Sequence, residues 1–299
     1  MSDYHLHLHP HHLMEEAPPM GVYPPGYIDR YVEVAAARGV EELGFSEHLY
    51  RCAESAPVLG RWWESEPDPQ RAAEMAAVVA AERNLSLESY VSVVVDAKDR
   101  GLPVKLGLEV DFQPGTEGAV IDLLAGYPFD FLIGSVHWIG GWGFDRRANR
   151  AEFSRRGVRR SYEQYFELEA ALAASGMVDV LAHADVVKKT GIRPSEPIDD
   201  LYDAVAEAAA NSGTAVEVSS AGLRHLAAEI FPAPAFLARL HSSGVPITLA
   251  SDAHLPQEAG WGRQKAVRAA RAVGYTHQLR FERRARRSVP LPALLEASA

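Results

Sequence analysis

Short apolar runs alternate with longer segments of helical periodicity along this chain, and the alternation repeats about seven times. Most of the apolar runs are rich in Val, Ile, Leu and Phe, the composition of strands that are buried on both faces of a parallel sheet. We therefore predict strands at residues 4–8, 42–45, 104–108, 131–136, 178–181, 215–218 and 247–250.

The amphipathic or alanine-rich segments between these runs are predicted to be helices, at residues 27–38, 68–100, 116–125, 161–175, 199–212, 234–243 and 257–273. Each segment ends at a glycine, the residue that most easily adopts the left-handed conformation at a helix C-terminus. These glycines are Gly39, Gly101, Gly126, Gly176, Gly213, Gly244 and Gly274. The strand–helix repeat predicts an α/β fold, as a closed or nearly closed β/α barrel; a doubly wound open sheet is the alternative.

Two segments fall outside this repeat. Residues 52–67 have no clear period, and we predict a loop insertion over the C-terminal ends of the strands. Residues from about 280 to 299 include a basic cluster, which we interpret as a solvated terminal extension. Because no low-complexity linker interrupts the chain, we expect residues 1–299 to form a single domain.

Composition narrows the possible functions. The net charge of −10 argues against nucleic acid as an obligatory partner. The single cysteine, Cys52, and an N-terminus unlike a secretory signal predict a cytoplasmic protein without structural disulfides. No apolar run approaches the roughly 18 residues of a membrane span, so we expect a soluble protein with no membrane partner. Nothing in the sequence specifies an oligomeric state.

The first predicted strand carries histidines at alternate positions. In an extended strand successive side chains point to opposite faces, so His5, His7 and His9 lie on one face and apolar residues on the other. Neutral imidazoles at alternate positions of a strand can converge on one metal ion. An affinity tag is a homopolymer, whereas this run alternates with apolar residues. The pattern therefore predicts metal binding.

Every later strand also leads into potential ligands: Glu47 and His48, Glu109 and Asp111, His137, His183 and Asp185, Glu217, and Asp252 and His254. In a β/α barrel the C-terminal strand ends converge on one site. This many ligands exceeds the capacity of one tetrahedral ion, about four, so we predict two or three ions. Glu109 is the expected bridge, because a carboxylate offers two oxygens. Clustered divalent ions suit phosphate-ester hydrolysis.

These motifs resemble the PHP (polymerase and histidinol phosphatase) superfamily. They are His5-Leu-His7, Gly44-Phe-Ser-Glu-His48, Gly107-Leu-Glu-Val-Asp111, His183-Ala-Asp185 and Ser251-Asp-Ala-His254. The chain is most similar to monofunctional PHP-type histidinol-phosphate phosphatases, through the run from Tyr127 to His137, Gly141-Trp-Gly-Phe-Asp145, Val187-Lys-Lys189 and the run from Val216 to Arg224. The resemblance implies a distorted, TIM-like (β/α)7 barrel with a trinuclear site at the C-terminal strand ends.

The same resemblance implies how the ligands are shared. It assigns one ion to His5, His7, Glu109 and Asp252, a second to Glu109, His137 and His183, and a third to His48, His254 and another N-terminal histidine. This chain has Leu8 and Leu13 where family members commonly have Thr or Ser and a histidine. We therefore expect His12 to be that third N-terminal ligand, with His11 and His9 as alternatives. The chain also has Ser219-Ser220 where family members often have Asn.

Four residues are candidate substrate contacts. Arg224 follows the sixth strand in a family-like motif and could bind phosphate bidentately; a surface salt bridge is the alternative. Arg51 and Lys188, together with Lys189, are weaker phosphate candidates. Glu47 could recognise a substrate ammonium or orient a metal ligand.

The leading hypothesis is a metal-dependent phosphomonoesterase in which a metal-bridging hydroxide attacks phosphorus and Asp252 or His254 protonates the leaving alkoxide. The resemblance implies L-histidinol phosphate as substrate, in histidine biosynthesis. Sites built from histidines and carboxylates accept Zn, Fe or Mn, and the sequence does not specify which metal is the cofactor. One alternative is a PHP phosphoesterase that acts on another small phosphoester or a nucleotide. Others are an amidohydrolase-type metal enzyme and a non-catalytic metal-binding module.

Overall fold

A computed structural model describes residues 1–10 and 16–294 of the chain. Its strands are β1 (Ser2–Leu6), β2 (Glu42–Phe45), β3 (Val104–Leu106), β4 (Glu109–Asp111), β5 (Ile133–Ser135), β6 (Trp138–Ile139), β7 (Trp142–Gly143), β8 (Val180–Leu181), β9 (Ala215–Ser219), β10 (Ile247–Ala250), β11 (His277–Glu282) and β12 (Ala285–Pro290). Its α-helices are α1 (Tyr27–Ala37), α2 (Ala56–Leu59), α3 (Pro69–Glu82), α4 (Leu87–Asp99), α5 (Glu117–Leu124), α6 (Glu152–Arg156), α7 (Val158–Ala174), α8 (Asp199–Ser212), α9 (Pro234–Ser242) and α10 (Arg263–Ala272).

All seven predicted strands are present, but the third is interrupted. β3 ends at Leu106 and β4 begins at Glu109, with Gly107 between them. A Cβ atom on Gly107 would lie 2.3 Å from the Phe131 ring, so only glycine allows this close approach. The absence of a side chain at Gly107 therefore leaves room for the Phe131 ring against the strand.

The helix predicted over residues 68–100 is two helices, α3 and α4. The backbone between them pairs with the segment after β2, because Leu85 donates to the Arg51 carbonyl and accepts from the Ala53 amide. Asp68 caps α3 and Ser86 caps α4 through side-chain hydrogen bonds, as short polar side chains do at helix starts. Six of the seven predicted C-terminal glycines have positive φ; Gly126 does not.

The strands form two parallel sheets, in the orders β1-β2-β3 and β10-β9-β8-β5-β4. An α/β fold with parallel strands is thus confirmed. Backbone pairing also joins the two sheets at their carboxyl ends. The His7 amide donates to the Ala253 carbonyl at 2.7 Å, and the Glu109 amide donates to the Glu47 carbonyl at 2.9 Å.

Residues 277–290 are not the solvated extension that the sequence predicted to begin at about residue 280. They form the antiparallel hairpin β11–β12, and Phe281 packs edge-on against Tyr4 with ring centroids 5.8 Å apart. Phe131 joins them, 4.8 Å from the Tyr4 ring. The hairpin therefore covers apolar side chains near the amino ends of the strands, while its basic residues on β12 stay exposed.

Residues 52–67 contain short helical turns rather than an irregular loop: Ala53–Ser55 and Trp62–Ser65 are 3-10 helices on either side of α2. The Trp62 ring lies 5.0 Å from the ring of Trp138, which follows β5. None of the helices in the described ranges is long and apolar enough to cross a membrane.

Candidate metal centre

Strand ends bring eight of the nine predicted metal ligands into one buried cluster: His5, His7, His48, Glu109, His137, His183, Asp252 and His254. His12, the ninth, lies outside the described residues, as does His11. Four overlapping groups of three have ligand atoms within 4.8 Å of one another. They are His5–His7–Asp252, His5–Glu109–His183, His7–His48–His254 and His48–Asp111–His137.

His5 and His7 point at the same place, as alternate residues of a strand should. Their Nε2 atoms are 3.0 Å apart, and each lies 3.3–3.4 Å from Oε2 of Glu109. Oδ1 of Asp252 is 3.6 Å and 3.5 Å from the same two nitrogens. Four electron-rich atoms this close together in a buried space repel one another unless a cation lies between them. The donor set therefore fits a divalent transition metal.

Glu109 lies at the centre of the cluster and is fully buried. Its Oε2 atom is 3.0 Å from Nδ1 of His48, while its Oε1 atom is 3.3 Å from Nε2 of His183 and 3.6 Å from Nε2 of His137. The two oxygens thus face different histidines. This arrangement suits the bridging role predicted for Glu109.

Asp111 was among the potential ligands at the strand ends but was not assigned to an ion. Its Oδ1 atom lies 3.2 Å from Nδ1 of His48 and 3.0 Å from Nδ1 of His137, and its Oδ2 atom accepts from the Tyr50 amide. Two residues apart on β4, Asp111 and Glu109 point to the same face. That spacing was the available signal.

The described N-terminal histidine that lies with His48 and His254 is His7. Its ring stacks on theirs, with centroids 4.6 Å and 4.3 Å apart. His9 faces elsewhere: Nδ1 is 3.1 Å from Glu47, and Nε2 accepts from the Gly21 amide. His9, an alternative third ligand in the sequence analysis, is therefore turned away from the cluster.

Glu217, one of the potential ligands at the strand ends, lies behind two histidines of the cluster instead of among the converging ligand atoms. Its Oε2 atom is 2.9 Å from Nδ1 of His5, and its Oε1 atom accepts from the His183 amide at 2.8 Å. A carboxylate behind a histidine fixes which ring nitrogen faces a metal. Glu217 thus orients His5 with Nε2 toward Glu109. Its position in the middle of β9, as an acidic residue within an apolar run, was the signal in the sequence.

Charges in the cluster perturb several pKa values. Burial lowers the pKa of His5, but Glu217 and Glu109 outweigh that effect and hold the pKa well above its ordinary value. The same opposition, with Glu109 and Asp111 as the carboxylates, raises the pKa of His48 to about 9. Burial raises the pKa of Glu109, yet the histidines around it bring it well below its usual range. Protons on His5 and His48 would balance the carboxylates, and a bound metal would displace them.

Two residues of the cluster have strained backbones. His183 has φ of 28° and Asp252 has φ of 51°, in a region that side-chain-bearing residues rarely adopt. Nη2 of Arg224 donates to the carbonyls of Ser251 and Asp252 at 2.9 Å and 2.7 Å, which holds that turn. Strain of this kind concentrates at functional positions.

A cavity of about 670 Å³ opens beside the cluster. Its lining includes His48 and His137 from the cluster and the predicted substrate residue Arg224. Lys189 lines this cavity and also the small recess that contains Glu109, His183 and Asp252. Lys189 pairs with Asp145 at 2.8 Å, and this carboxylate outweighs the effect of burial and raises the lysine pKa.

The other predicted substrate residues are enclosed elsewhere. Lys188 is buried and binds Asp185 and Glu229 at 2.7 Å and 2.9 Å. Arg51 is fully buried, and its Nη1 atom donates to the His9 carbonyl. Glu47 accepts from the amides of Leu8 and His9 and lies 3.6 Å from Nδ1 of His7. These contacts favour the second role predicted for Glu47, orienting a metal ligand.

His225 lines the cavity but was not among the candidate residues predicted from the sequence. Burial, together with the charge of Lys189, lowers the pKa of His225 to about 4. A neutral imidazole therefore lines both the cavity and the recess at neutral pH. Its place directly after Arg224 was the only sequence signal.

Comparison with known proteins agrees with this geometry. The PHP domain profile matches residues 5–221. A relative from Deinococcus radiodurans, named "Probable histidinol-phosphatase", is 31% identical over 274 residues, covering 92% of this chain and 94% of the relative. The crystal structure of hisK from Listeria monocytogenes has a TM-score of 0.65 at 17% identity, over 89% of this chain and 99% of that one.

A second solved structure has a similar fold. It is histidinol phosphate phosphatase from Lactococcus lactis, complexed with Zn, L-histidinol and phosphate. Its TM-score is 0.64 at 18% identity, over 96% of this chain and 98% of that one. The family profile matches most of this chain, and the Deinococcus relative covers nearly all of it, so the chain belongs to the PHP domain family.

Proposed function

We propose that this protein is a metal-dependent phosphomonoesterase that hydrolyses L-histidinol phosphate to L-histidinol and phosphate, in histidine biosynthesis. The observation that carries the proposal is the convergence of His5, His7, Glu109 and Asp252 on one point beside a cavity that Arg224 lines. The near full-length relative from Deinococcus radiodurans carries the corresponding name, and the Lactococcus lactis protein binds both products. A biosynthetic role implies a cytoplasmic location.

The strands form a closed seven-stranded barrel in this proposal, within one domain that spans the chain. Two backbone pairings support closure: Leu6 with Ala253, which joins β1 to the end of β10, and His48 with Glu109, which joins the end of β2 to β4. Counting β3 and β4 as one interrupted strand, these pairings link the two sheets into a ring. Closure would bring all strand ends to one opening.

The metal ligands would be the eight described side chains of the cluster, with Asp111 as an addition and His12 still a prediction. His7, His48 and His254 form a further group of closely spaced ligand atoms, and this group supports the binding of more than one ion. Ions held there would stabilise charge on phosphoryl oxygens and lower the pKa of water. Zinc is the favoured metal, because the Lactococcus lactis structure contains it; iron and manganese suit the same ligands.

The chain's own residues would then position the substrate. Arg224 is the predicted phosphate contact, since its Nη1 atom is buried without a hydrogen-bond partner among the described residues and its side chain lines the cavity. Lys189, rather than Lys188, supplies a second positive charge. Asp252 or His254 would pass to the leaving oxygen a proton taken from the attacking water, because both side chains lie at the cluster.

The test is a phosphatase assay on protein that has been stripped with a chelator and reloaded separately with zinc, iron or manganese. L-histidinol phosphate is compared with a panel of small phosphoesters and nucleotides. We expect L-histidinol phosphate to give the highest kcat/KM, and elemental analysis to find more than one transition metal per chain. Preference for a nucleotide would favour the alternative PHP phosphoesterase. Absence of activity in every loaded form would overturn the proposal.

A further inference from the structure

The residues that line the cavity come from two halves of the strand order. Lys189 follows β8 and Arg224 follows β9, whereas Tyr50 follows β2 and Trp138 follows β5. In the larger sheet β8 and β9 are neighbours, and β2 pairs with the β4 edge at their ends. Lys189 and Arg224 are the cations beside β8 and β9. The other side supplies aromatic rings and Glu82, the last residue of α3, together with the cations Arg146 and Arg147.

We infer that Glu82 determines substrate specificity by accepting a hydrogen bond from an N–H group on the organic part of the phosphoester. This inference rests on the proposed function and deepens it. The carboxylates among the described lining residues are Glu82 and Asp145. Asp145 is paired with Lys189 at 2.8 Å, next to the predicted phosphate contacts, so we assign Glu82, the other carboxylate, to the remainder of the substrate.

The contacts of Glu82 hold its carboxylate in place and leave it accessible. Oε1 accepts from Arg146 at 3.1 Å, and Oε2 accepts from the Tyr50 hydroxyl. Nε of Arg51 lies 3.7 Å from Oε2. A carboxylate has about four lone-pair sites, so these contacts leave one for a ligand. The side chain is 16% exposed, and it lines the cavity.

Tyr50 sets the distance between Glu82 and the metal cluster. Its ring lies 5.2 Å from the ring of His48, and its hydroxyl reaches Glu82. Glu82 therefore lies about one tyrosine side chain beyond a predicted metal ligand. In L-histidinol phosphate, three carbon–carbon bonds separate the ester carbon from the imidazole. A phosphate at the cluster would thus place the imidazole near Glu82.

Aromatic neighbours complete this part of the cavity. The Tyr50 and Trp138 rings meet edge to face with centroids 5.1 Å apart, and both line the cavity. An imidazole gains from packing against such rings while its N–H bonds an acceptor beyond them. The geometry fits a flat, nitrogen-bearing ring better than a sugar or an alkyl chain.

The test compares Glu82→Gln with Glu74→Gln, an exposed glutamate on the same helix. Two substrates are used on the metal-loaded protein: L-histidinol phosphate, and p-nitrophenyl phosphate, whose leaving group has no N–H. We expect Glu82→Gln to lower kcat/KM for L-histidinol phosphate roughly 10- to 150-fold, mainly through KM, because a charged acceptor is lost. Hydrolysis of p-nitrophenyl phosphate should stay within about twofold of the parent.

A purely structural role for Glu82, as an anchor for Arg146, would lower both activities together, and that result overturns the inference. So does an unchanged kcat/KM for L-histidinol phosphate. If Glu82→Gln does not fold, Glu82→Asp keeps the charge and should show a smaller loss confined to L-histidinol phosphate; an equal loss for both substrates again overturns the inference. A parent protein that hydrolyses only p-nitrophenyl phosphate would instead overturn the proposed substrate.

Discussion

The Oε2 atom of Glu217 lies 2.9 Å from Nδ1 of His5, and both side chains are buried. The contact commits Nδ1 of His5 to a proton and leaves Nε2 to face the cluster. A neutral amide in place of Glu217 would hold the ring less firmly and reduce its basicity. Glu217→Gln should therefore weaken metal binding about 10- to 100-fold. Metal titration measures this, with Glu207→Gln on the exposed face of α8 as control.

Glu109 contacts five of the clustered histidines, so its replacement should remove more than one ion. Loss of a hydrogen-bond partner behind a metal ligand costs up to roughly 100-fold in activity. We expect Glu109→Gln to lose more activity than that and to bind less metal. His12→Ala should keep more activity than Glu109→Gln. Assays of kcat alongside elemental analysis decide this. If His12→Ala is inactive while Glu109→Gln keeps a kcat near that of the parent, the ligand assignment is wrong.

Arg224 is expected to bind the substrate phosphate, since its guanidinium matches phosphate geometry and lines the cavity. Loss of one charged partner costs about 2–4 kcal/mol in a desolvated site, so Arg224→Ala should lower kcat/KM roughly 30- to 1000-fold. Arg224→Lys keeps the positive charge but lacks the planar guanidinium, so it should recover part of the lost kcat/KM. Metal content is the control: if both variants lose metal, Arg224 acts by supporting the turn at Asp252.

Glu169 should make stability depend on pH. Burial raises the pKa of this carboxyl well above the ordinary value, and the nearby Asp185 adds to the effect. The folded state then holds a proton that the unfolded state releases above about pH 4.5. Stability is therefore lost as pH rises from that value toward the folded pKa, by up to about 1.4 kcal/mol per pH unit.

Glu169→Gln cannot ionise, so its unfolding free energy relative to the parent should rise steadily between pH 5 and pH 8. The slope of that difference is the measurement, because a buried amide adds a constant offset. Glu167→Gln, an exposed neighbour on α7, should show no such slope. A flat difference for Glu169→Gln would show that the carboxyl is ionised in the folded protein.

Phe281 should anchor the C-terminal hairpin. Its ring packs with Tyr4 and Phe131 and is 3% exposed, so Phe281→Ala should destabilise the protein by about 3–5 kcal/mol. Arg287→Ala, on the exposed strand of the same hairpin, should change stability by less than about 0.5 kcal/mol. Urea unfolding compares the two. If Phe281→Ala lowers the unfolding free energy no more than Arg287→Ala does, the hairpin contributes little to the core.

The sequence by itself determined the strands and most of the site. Strands buried on both faces appear as apolar runs, and the residue that ends a parallel strand is fixed by local sequence. Local pattern alone therefore places His5, His48 and Glu109 at one end of a sheet. The resemblance to PHP enzymes, carried by the same positions, is confirmed by the family profile.

Only the tertiary structure decided which polar residues face the site. Lys188 and Lys189 are adjacent, yet the ion pair of Lys188 with Asp185 turns it into the protein and leaves Lys189 on the cavity. Glu217 meets His5 across 212 positions of sequence. Glu82, at the end of a helix, reaches the cavity through the packing of α3. Such choices depend on ion pairs and on contacts between distant segments, which no local pattern of residues encodes.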